Sequence, residues 1–597
     1  MENTVAFFDI ETNGITDWTT LSDLNAVHCM VVMDSNNTYR FQADTMAKGL
    51  ELLSSYTYIV GHNAIGFDYP ALNKLYRFRH SGVVDTMIMA RCLYPDLRND
   101  DCKRVEFPKD LMGSHGLKAW GYRIGNNKSN HGETEDWSQW SKEMEDYCVQ
   151  DVAVTKALYG YLMLRKPSPL MLDIELKFAT IIRRQEINGF PFDVKAAENL
   201  TRDLMTRRAA IGEELNEQFP PTVLETKSTW WVTGDGFKAK TKKACLEAGY
   251  KASEVERGGS ITKTIPFNPN SRDQICERLI AEGWKPAAFE GKRPAINEGV
   301  LKDVGTPAAL KLYEYLLVSK RLSQIAEGNQ AWLKLYKNGK VYGRVNTNGA
   351  LSGRCTHSNP NMAQVPASRA EYGKECRSCF TAPEGSVLVG ADASGLELRC
   401  LAHYLYTYDK GDYGKTIVQA DIHTANQLAA GLPTRDDAKT FIYAFLYGAG
   451  DEKIGKIVGG NRADGKRLKE SFLNKTPAIR RLVKAVTDKV SSSGSLKGID
   501  GRPLPCRSSH SALNLLLQSA GAVLMKQSLI EFTAMAKHPY KMHANIHDEV
   551  QFSCAPEDAD KLGKCFVEAL TKAGKTLNFR CPIDGEYKVG SNWAETH

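Results

Sequence analysis

Apolar and polar positions change period several times along the chain, and each change predicts an element. VAFFDIETNG opens with an apolar run that delivers Asp9 and Glu11 to one face of a strand at i and i+2. Strand-like and helix-like patterns then alternate through residue 165, as in an α/β domain. Within that region GHNAIGFDYPAL supplies Asp68, and the helical DYCVQDVAVTKAL sets Tyr147 and Asp151 at i, i+4, so that phenol and acid share a side. KPSPL at 166–170 reads as a linker. From Met171 to about residue 220 the pattern predicts two charge-rich amphipathic helices, LKFATIIRRQEINGF and RDLMTRRAAIGEELNEQF, closed by Pro220-Pro221. The least helical stretch follows, with Trp230-Trp231, Lys238, Lys240, Lys242, Lys243 and a glycine-rich 257–260.

Farther on, strand formers return in SVLVGADASGLELRCLAH at 386–403, which carries Asp392, and in NIHDEVQFS at 545–553. There Ile546, Val550 and Phe552 alternate around Asp548 and Glu549, predicting a strand or hairpin with one buried face and Glu549 pointing away from Asp548. Between them TRDDAKTFIYAFLYGAG (434–450) reads as a helix in which Arg435, Lys439, Tyr443 and Tyr447 recur every four residues, stacking two cations and two phenols on one side. Cations suit phosphate oxygens and rings offer a stacking surface, while paired carboxylates supply the hard oxygen ligands that two Mg²⁺ ions need. Taken alone each segment is equally an amphipathic surface helix or a buried strand; their combination fits two metal ions, a nucleoside triphosphate and a growing nucleic-acid strand.

The three segments resemble motifs A, B and C of family A DNA polymerases, the group that includes bacterial DNA polymerase I, and come closest to the replicases of short-tailed bacteriophages. FNPNSRDQI at 267–275, VNTNGALSGRCTHSNPNMAQVPA at 345–367, DIHTANQ at 421–427, LNLLLQSAGA at 513–522 and GSNWAETH at 590–597 extend the resemblance in the same order over nearly the whole chain. It implies that Asp392 and Asp548 ligate two Mg²⁺ (with Mn²⁺ as a substitute), assisted by the carbonyl of Ala393, with Glu549 near the primer terminus. It implies further that Arg435, Lys439 and His423 hold the phosphates of the incoming nucleotide, that Tyr443 lies beneath its sugar, and that Tyr447 stacks near the template base. Glu397 matches the position that closes off the 2′ side of the sugar and, with Tyr443, excludes ribonucleotides. The phenol at 443 implies weak discrimination against dideoxynucleotides. Arg354, Asn514, Gln518 and His547 match minor-groove contacts, and Asn268, Ser271 and Arg272 are further expected DNA contacts.

The N-terminal acids resemble those of a DEDD-type 3′–5′ exonuclease in its tyrosine-containing form. The resemblance makes Asp9, Glu11, Asp68 and Asp151 ligands of a second metal pair, gives Tyr147 the attacking water, and matches Asn63 to a substrate contact. All the expected acids are present, so active proofreading is expected. The fold class implied is α/β and α+β multidomain: a ribonuclease H-like exonuclease domain followed by a right-hand polymerase. The expected boundaries are 1–165 for the exonuclease, 166–340 for a thumb with a basic insertion around 221–265, 341–400 for the first part of the palm, 401–505 for the fingers, and 506–597 for the second part of the palm.

Composition adds less. The net charge of +7 over 597 residues is modest, so affinity for DNA must come from local placement. The 14 cysteines are scattered, and the single CxxC, Cys376 and Cys379, lacks a second pair, which argues against zinc. The start MENTVAFF lacks a signal pattern and no apolar stretch reaches membrane length, so a soluble protein of a bacterial host cytoplasm is expected. Gly460–Lys466 has P-loop spacing, yet Arg467 replaces the Ser or Thr that would hold Mg²⁺ and no strand pattern precedes it; a loop between helices is expected there, and no ATPase. Some phage relatives carry a longer thumb insertion that recruits host thioredoxin. A thioredoxin-like processivity factor and a phage helicase-primase are therefore candidate partners beside primer-template DNA and dNTPs. Two other readings are a single-subunit RNA polymerase, against which Glu397 and the exonuclease acids argue, and a non-catalytic primer-template binder, which would gain nothing from clustered carboxylates.

Overall fold

The computed structural model describes residues 4–126, 137–227, 230–258, 260–287 and 289–597, in two compact units. One comprises the chain to Asp193 together with Leu335–His597, the other Val194–Lys334. Gly259, in the glycine-rich stretch singled out above, lies outside the described residues.

The first unit begins with a mixed five-stranded sheet of β1 (Val5–Thr12), β2 (Val27–Met33), β3 (Thr38–Gln42), β4 (Tyr58–Gly61) and β5 (Val83–Asp85), in the order β3-β2-β1-β4-β5. β1 runs antiparallel to β2 and parallel to β4, which pairs in parallel with β5. Alternation along β1 puts Ala6, Phe8 and Ile10 into one core with Leu53, Ile59 and Leu72. Phe7, on the other face, packs with Val60, Cys148 and Val152, the last two from α2 (Lys142–Met163). α1 (Asp68–Tyr76) follows the β4 loop. α3 (Pro169–Asn188) does not behave as the sequence suggested. Ser168 caps it, and the Ser168 hydroxyl donates to the Asp500 carbonyl at 2.6 Å, so KPSPL is a helix start rather than a free linker. Its Ile174, Phe178, Ile181 and Ile182 join the large core of the first unit, which is why the second unit begins at Val194 and not at 166.

The second unit is built on α4 (Val194–Gln218) and α5 (Pro307–Leu322), which pack together. Between them the chain forms a two-stranded hairpin, Thr222–Lys227 with Ser260–Ile265, and a small three-stranded sheet of Trp231–Thr233, Lys238–Ala239 and Val255–Arg257.

Back in the first unit, β6 (Val387–Ala393), β7 (Lys541–Ile546), β8 (Glu549–Cys554) and β9 (Gly585–Gly590) form an antiparallel sheet ordered β7-β8-β6-β9. α6 (Leu396–Asp409), α7 (Ile422–Ala430) and α8 (Arg435–Leu446) lead into further helices, and α9 (Ala512–Met535) and α10 (Ala559–Thr576) pack against each other. α9 is apolar nearly all round and buried along most of its length, as a helix inside a large core must be. One exception is Lys526, 2% exposed, whose ammonium donates to Glu175 at 2.7 and 2.9 Å and to the Thr347 carbonyl at 2.8 Å. Arg502 pairs with Glu175 and, at 2.7 Å, with Asp500, while Asn348 donates to Glu175 at 2.8 Å. Neighbouring cations hold the Glu175 carboxyl below its usual range despite complete burial. Gly353, at φ +79°, lets the Arg502 guanidinium approach to where a Cβ would clash at 1.9 Å. The P-loop lookalike is no loop: Asn461 and Asp464 form a reciprocal cap, and Gly465 and Lys466 lie inside the helix Arg462–Lys475.

Candidate active sites

At the first site, β6 and β8 run antiparallel with Asp392 opposite Glu549, while Glu586 of β9 stands opposite Asp392 on its other side. Asp548 lies in the two-residue turn between β7 and β8, where His547 takes a left-handed φ of 57°. A non-glycine residue held there costs on the order of 1 kcal/mol, a strain that concentrates at working sites. The Ala393 N–H donates to the Asp548 carbonyl at 3.1 Å and so ties the two aspartates together. Burial, then Glu586 and Asp548, push the Asp392 carboxyl up to about 6. Burial, then Glu397, push Asp548 to about 6 as well. A divalent cation between two such acids relieves both penalties, so the pair fits a metal site.

Glu549 itself is buried and fully engaged. The Trp593 indole and Gln551, the latter at 2.9 Å, donate to its Oε1; His597 lies 3.1 Å from Oε2 and Arg377 3.6 Å from Oε1. Around the aspartates, Glu397 accepts from the Tyr447 hydroxyl at 2.9 Å and pairs with Arg354 at 3.4 Å. The Tyr447 that holds Glu397 is the residue that caps α8. Tyr443 packs one turn back, its ring 6.2 Å from that of His423. Burial, and then Glu397, push the Tyr443 hydroxyl up to about 12. Lys439 is exposed, with no ion pair among the described residues. Arg435, by contrast, pairs with Asp421, the N-cap of α7, whose carboxylate also accepts from the His423 N–H at 3.0 Å. Asn514 and Gln518 lie one turn apart on α9, both half-buried.

At the second site β1 presents Asp9 and Glu11, and Cys148 from α2 lies beside them, the three ligand atoms within 4.8 Å of one another. The Cys148 thiol lies 3.5 Å from the Asp9 carbonyl and 3.7 Å from Oδ2. Asp68, at the start of α1, accepts from the Ile10 N–H at 3.3 Å. It is 4% exposed, and burial, reinforced by Asp85 and Asp151, raises it to about 7. Asp151 is buried on α2, one turn from Tyr147, whose ring meets Trp137 edge-on at 6.2 Å. Two carboxylates, Asp68 and Asp151, and the Tyr147 phenol therefore come from α1 and α2 to join Asp9 and Glu11 on β1.

DNA polymerase family A matches residues 239–595. The chain is 36% identical to the DNA-directed DNA polymerase of Enterobacteria phage T3 and to that of Escherichia phage T7, in each case over 99% of both chains. The chain belongs to DNA polymerase family A. Its fold is similar to that of a solved structure, the POL domain of Pol1 from M. smegmatis in complex with DNA primer-template and dNTP, with a TM-score of 0.74 at 16% identity over 99% of this chain and 96% of that one.

In this family A polymerase, the predicted site residues fall into three groups. Asp392, Ala393, Asp548, Glu549, Glu397, Arg354, His547, Tyr443 and Tyr447 gather about β6 and β8, and His423, Arg435 and Lys439 lie on α7 and α8. Asp9, Glu11, Asp68, Tyr147 and Asp151 gather on β1, with Asn63 exposed at the β4–α1 loop. Asn268, Ser271 and Arg272 lie in the second unit: Ser271 caps the helix Arg272–Ala281, and Arg272 pairs with Glu290 at 3.1 Å. Sequence reasoning missed Asp421, Glu586, Trp593, Cys148 and Asp85. Asp85 caps the helix Thr86–Leu93 and also accepts from the Asn63 and Ile65 N–H groups at 3.0 Å, fixing the loop that leads to Asp68. An Asp directly before the apolar TMIMA run was a readable N-cap signal. No disulfide forms among the described residues, Cys376 and Cys379 are buried, and no zinc cluster occurs among the described residues. No helix among the described residues is long and apolar enough to cross a membrane.

Proposed function

We propose that this DNA-directed DNA polymerase extends a DNA primer with deoxynucleotides at Asp392 and Asp548 and trims mismatched 3′ ends at Asp9, Glu11, Asp68 and Asp151. The observation that carries the first half is the convergence of Asp392 and Asp548, joined through the Ala393 N–H, beside the cationic side of α8. Family A polymerases work with divalent metal ions, and the two raised aspartates, with the Ala393 carbonyl, are the residues that would hold Mg²⁺ or Mn²⁺. Metal ions held by these residues would supply a lowered pKa at the primer 3′ hydroxyl and charge compensation at the leaving pyrophosphate.

The chain's own groups do the rest. Lys439 is the ready phosphate donor of α8. Arg435 must exchange Asp421 for the triphosphate, so substrate charge replaces an internal carboxylate at little net electrostatic cost. Tyr443 gives the sugar a rigid floor. Glu397, pinned by the Tyr447 hydroxyl and by Arg354, presents a fixed carboxylate against the 2′ position and disfavours a ribose hydroxyl there. Arg354, His547, Asn514 and Gln518 supply donors toward acceptors that every base pair offers in the minor groove.

For the trimming half, Asp9, Glu11, Asp68 and Asp151 would hold the second Mg²⁺ pair. Tyr147 orients the attacking water from one helical turn above Asp151, and Asn63 meets the strand end. The partners are primer-template DNA and dNTPs, and the setting is the cytoplasm of an infected bacterium, as for the phage relatives. The thioredoxin-like factor and the helicase-primase remain expectations of the resemblance, without a structural feature that carries them.

The test is an end-labelled primer with a mismatched 3′ end, given Mg²⁺ with and without dNTPs and with ribonucleotides in parallel. Trimming without nucleotides, and trimming followed by extension with dNTPs alone, is the expected result. Equal extension with ribonucleotides would favour the RNA-polymerase reading, and extension without trimming would remove the nuclease half.

A further inference from the structure

The last turn of α3 is tied to two strands beside the polymerase site. The Asn188 amide donates to the Met542 carbonyl in β7 at 3.1 Å, and the Val345 N–H donates to Glu186 at 2.8 Å. Val345 pairs opposite His357 in a two-stranded ladder of Arg344–Asn346 and Thr356–Ser358, which begins two residues after Arg354. β7 runs through Asn545 and Ile546 into the turn that carries His547 and Asp548. Its register with β8 shifts between Met542 and Ala544, and His543 at that bulge uses both ring nitrogens, 2.6 Å from the Gly189 carbonyl and 2.7 Å from the Ser553 hydroxyl.

These elements enclose a cavity of about 10 Å³ whose wall includes Gln185, His357 and Asn545. Each of the three carries a buried polar atom with no hydrogen-bond partner among the described residues: Gln185 Oε1, His357 Nε2 and Asn545 Nδ2. The residues themselves are 5, 8 and 4% exposed. Buried polar atoms are nearly always paired, so three orphans from distant segments around one cavity point to a common partner. The volume is that of one water molecule, and a buried water makes about three hydrogen bonds. Gln185 offers an acceptor and Asn545 a donor. Burial, and then His547, hold the His357 imidazole down at about 4, so the ring is neutral and its Nε2 either donates or accepts, according to the tautomer. A water satisfies all three because it both gives and takes. A metal ion does not, since the Asn545 N–H would face it.

We propose that a single water bound by Gln185, His357 and Asn545 is a fixed part of the polymerase site and positions the Asp548 turn and the Arg354 segment from behind. The inference rests on the reading of Asp548 as a metal ligand and of Arg354 as a DNA contact. The direct ties at Glu186, Asn188 and His543 hold the far ends of the two strands, whereas Asn545 lies three residues from Asp548 and His357 three from Arg354. The water thus joins α3 to both strands at the point nearest the working groups. Gln185, His357 and Asn545 act through it as positioning residues.

The experiment has a structural arm and a kinetic arm. A crystal structure of the full-length wild type, at a resolution that shows ordered water, is expected to place one peak about 2.7–3.2 Å from each of the three atoms. No peak, or a metal ion there, would overturn the proposal. In single-turnover extension over a range of Mg²⁺ and dNTP, Gln185→Met and Asn545→Leu should each lower the maximal rate about 10-fold and raise the Mg²⁺ needed for half the rate, with half-saturation by dNTP unchanged. Because both act through one water, the Gln185→Met/Asn545→Leu double should lose about as much as the worse single rather than about 100-fold. Trimming by the same preparations should stay at the wild-type rate. Unchanged extension in both singles, a multiplicative loss in the double, or a parallel loss of trimming would each overturn the positioning role, and a variant that fails to fold leaves the crystal structure to decide. Wild-type extension in the same assay separates these failures from any failure of the polymerase reading.

Discussion

Asp392 and Asp548 stand at the ends of antiparallel strands, half open, with Glu397, Glu549 and Glu586 around them; Asp9, Glu11, Asp68 and Asp151 come from one strand and two helices and include acids that are almost wholly buried. The difference lies in what supports each cluster. Behind the polymerase pair runs a buried ionic network of Glu175, Lys526, Arg502 and Asp500, which through Asn348 and the Thr347 carbonyl braces the loop that carries Arg354. Behind the nuclease acids lies an apolar core, and Asp85 organises the loop through backbone N–H groups alone. On the proposed reading, the site that admits a triphosphate and a duplex keeps its acids accessible and anchors its surroundings by charge, and the one proposed to admit a strand end sinks its acids and is held by packing.

The largest expected effect breaks one side of this comparison. Asp392→Asn should cut single-nucleotide insertion by about 10³-fold or more, equivalent to about 4 kcal/mol in the barrier. The metal-free variant should also melt about 1–3 °C higher than wild type. A carboxyl whose folded pKa is raised to about 6 destabilises the fold progressively as pH rises from about 4 through 6, and the amide removes that burden at pH 7. Quench-flow and differential scanning calorimetry give the two numbers; a lower melting temperature would refute the electrostatic account of the pair.

Next in size is the ionic brace. Lys526→Met leaves Glu175 and Arg502 imbalanced in a closed core and should cost about 3–5 kcal/mol, whereas the Lys526→Met/Glu175→Met double should recover part of it. Urea unfolding measures both, and no loss in the single variant would mean that the network is not a support. Insertion by the double variant, with the fold restored, reports whether the brace positions Arg354.

The two sites should also separate by pH. Each raised acid is charged, and able to hold metal, only above its folded pKa. At limiting Mg²⁺, trimming should therefore begin to fall as pH drops through about 7, the value for Asp68, and extension only as it drops through about 6, the value for Asp392 and Asp548. The ratio of trimming to extension, measured from pH 8 to 5.5, should decline before extension does; a ratio that rises on acidification would contradict the difference in burial. Smallest is Tyr447→Phe, which removes the hydroxyl that holds Glu397. Losing one hydrogen bond worth about 1 kcal/mol should weaken discrimination between dNTP and rNTP by about 5-fold, read from the ratio of kcat/KM values.

How much of this could be read beforehand depended on whether the signal was local. Asp9 and Glu11 on one strand face, Tyr147 and Asp151 one turn apart, and the α8 stripe all follow from period, and each lies where the period put it. The hairpin around Asp548 was legible from the alternation of Ile546, Val550 and Phe552, but β8 is buried on both faces rather than the one expected, because Glu549, Gln551 and Ser553 are covered too. What escaped was set by contacts far apart in sequence. The engagement of Glu549 by Trp593 and Arg377, the pairing of Arg435 with Asp421, and the Lys526 network join residues 14 to 351 positions apart, and nothing local announces them. KPSPL was misread for the same reason, because Pro and Ser suit a linker and a helix start equally well until the Asp500 carbonyl is in view.

The most direct test of two separate carboxylate sites is a crossed measurement on matched and mismatched end-labelled primer-templates with Mg²⁺ and dNTPs, using Asp548→Asn and Asp9→Asn under single-turnover conditions. The account predicts that Asp548→Asn still trims at near the wild-type rate but does not extend, and that Asp9→Asn extends a matched primer normally but leaves the mismatch in place. Loss of both activities in either variant would mean that the two clusters are not independent centres.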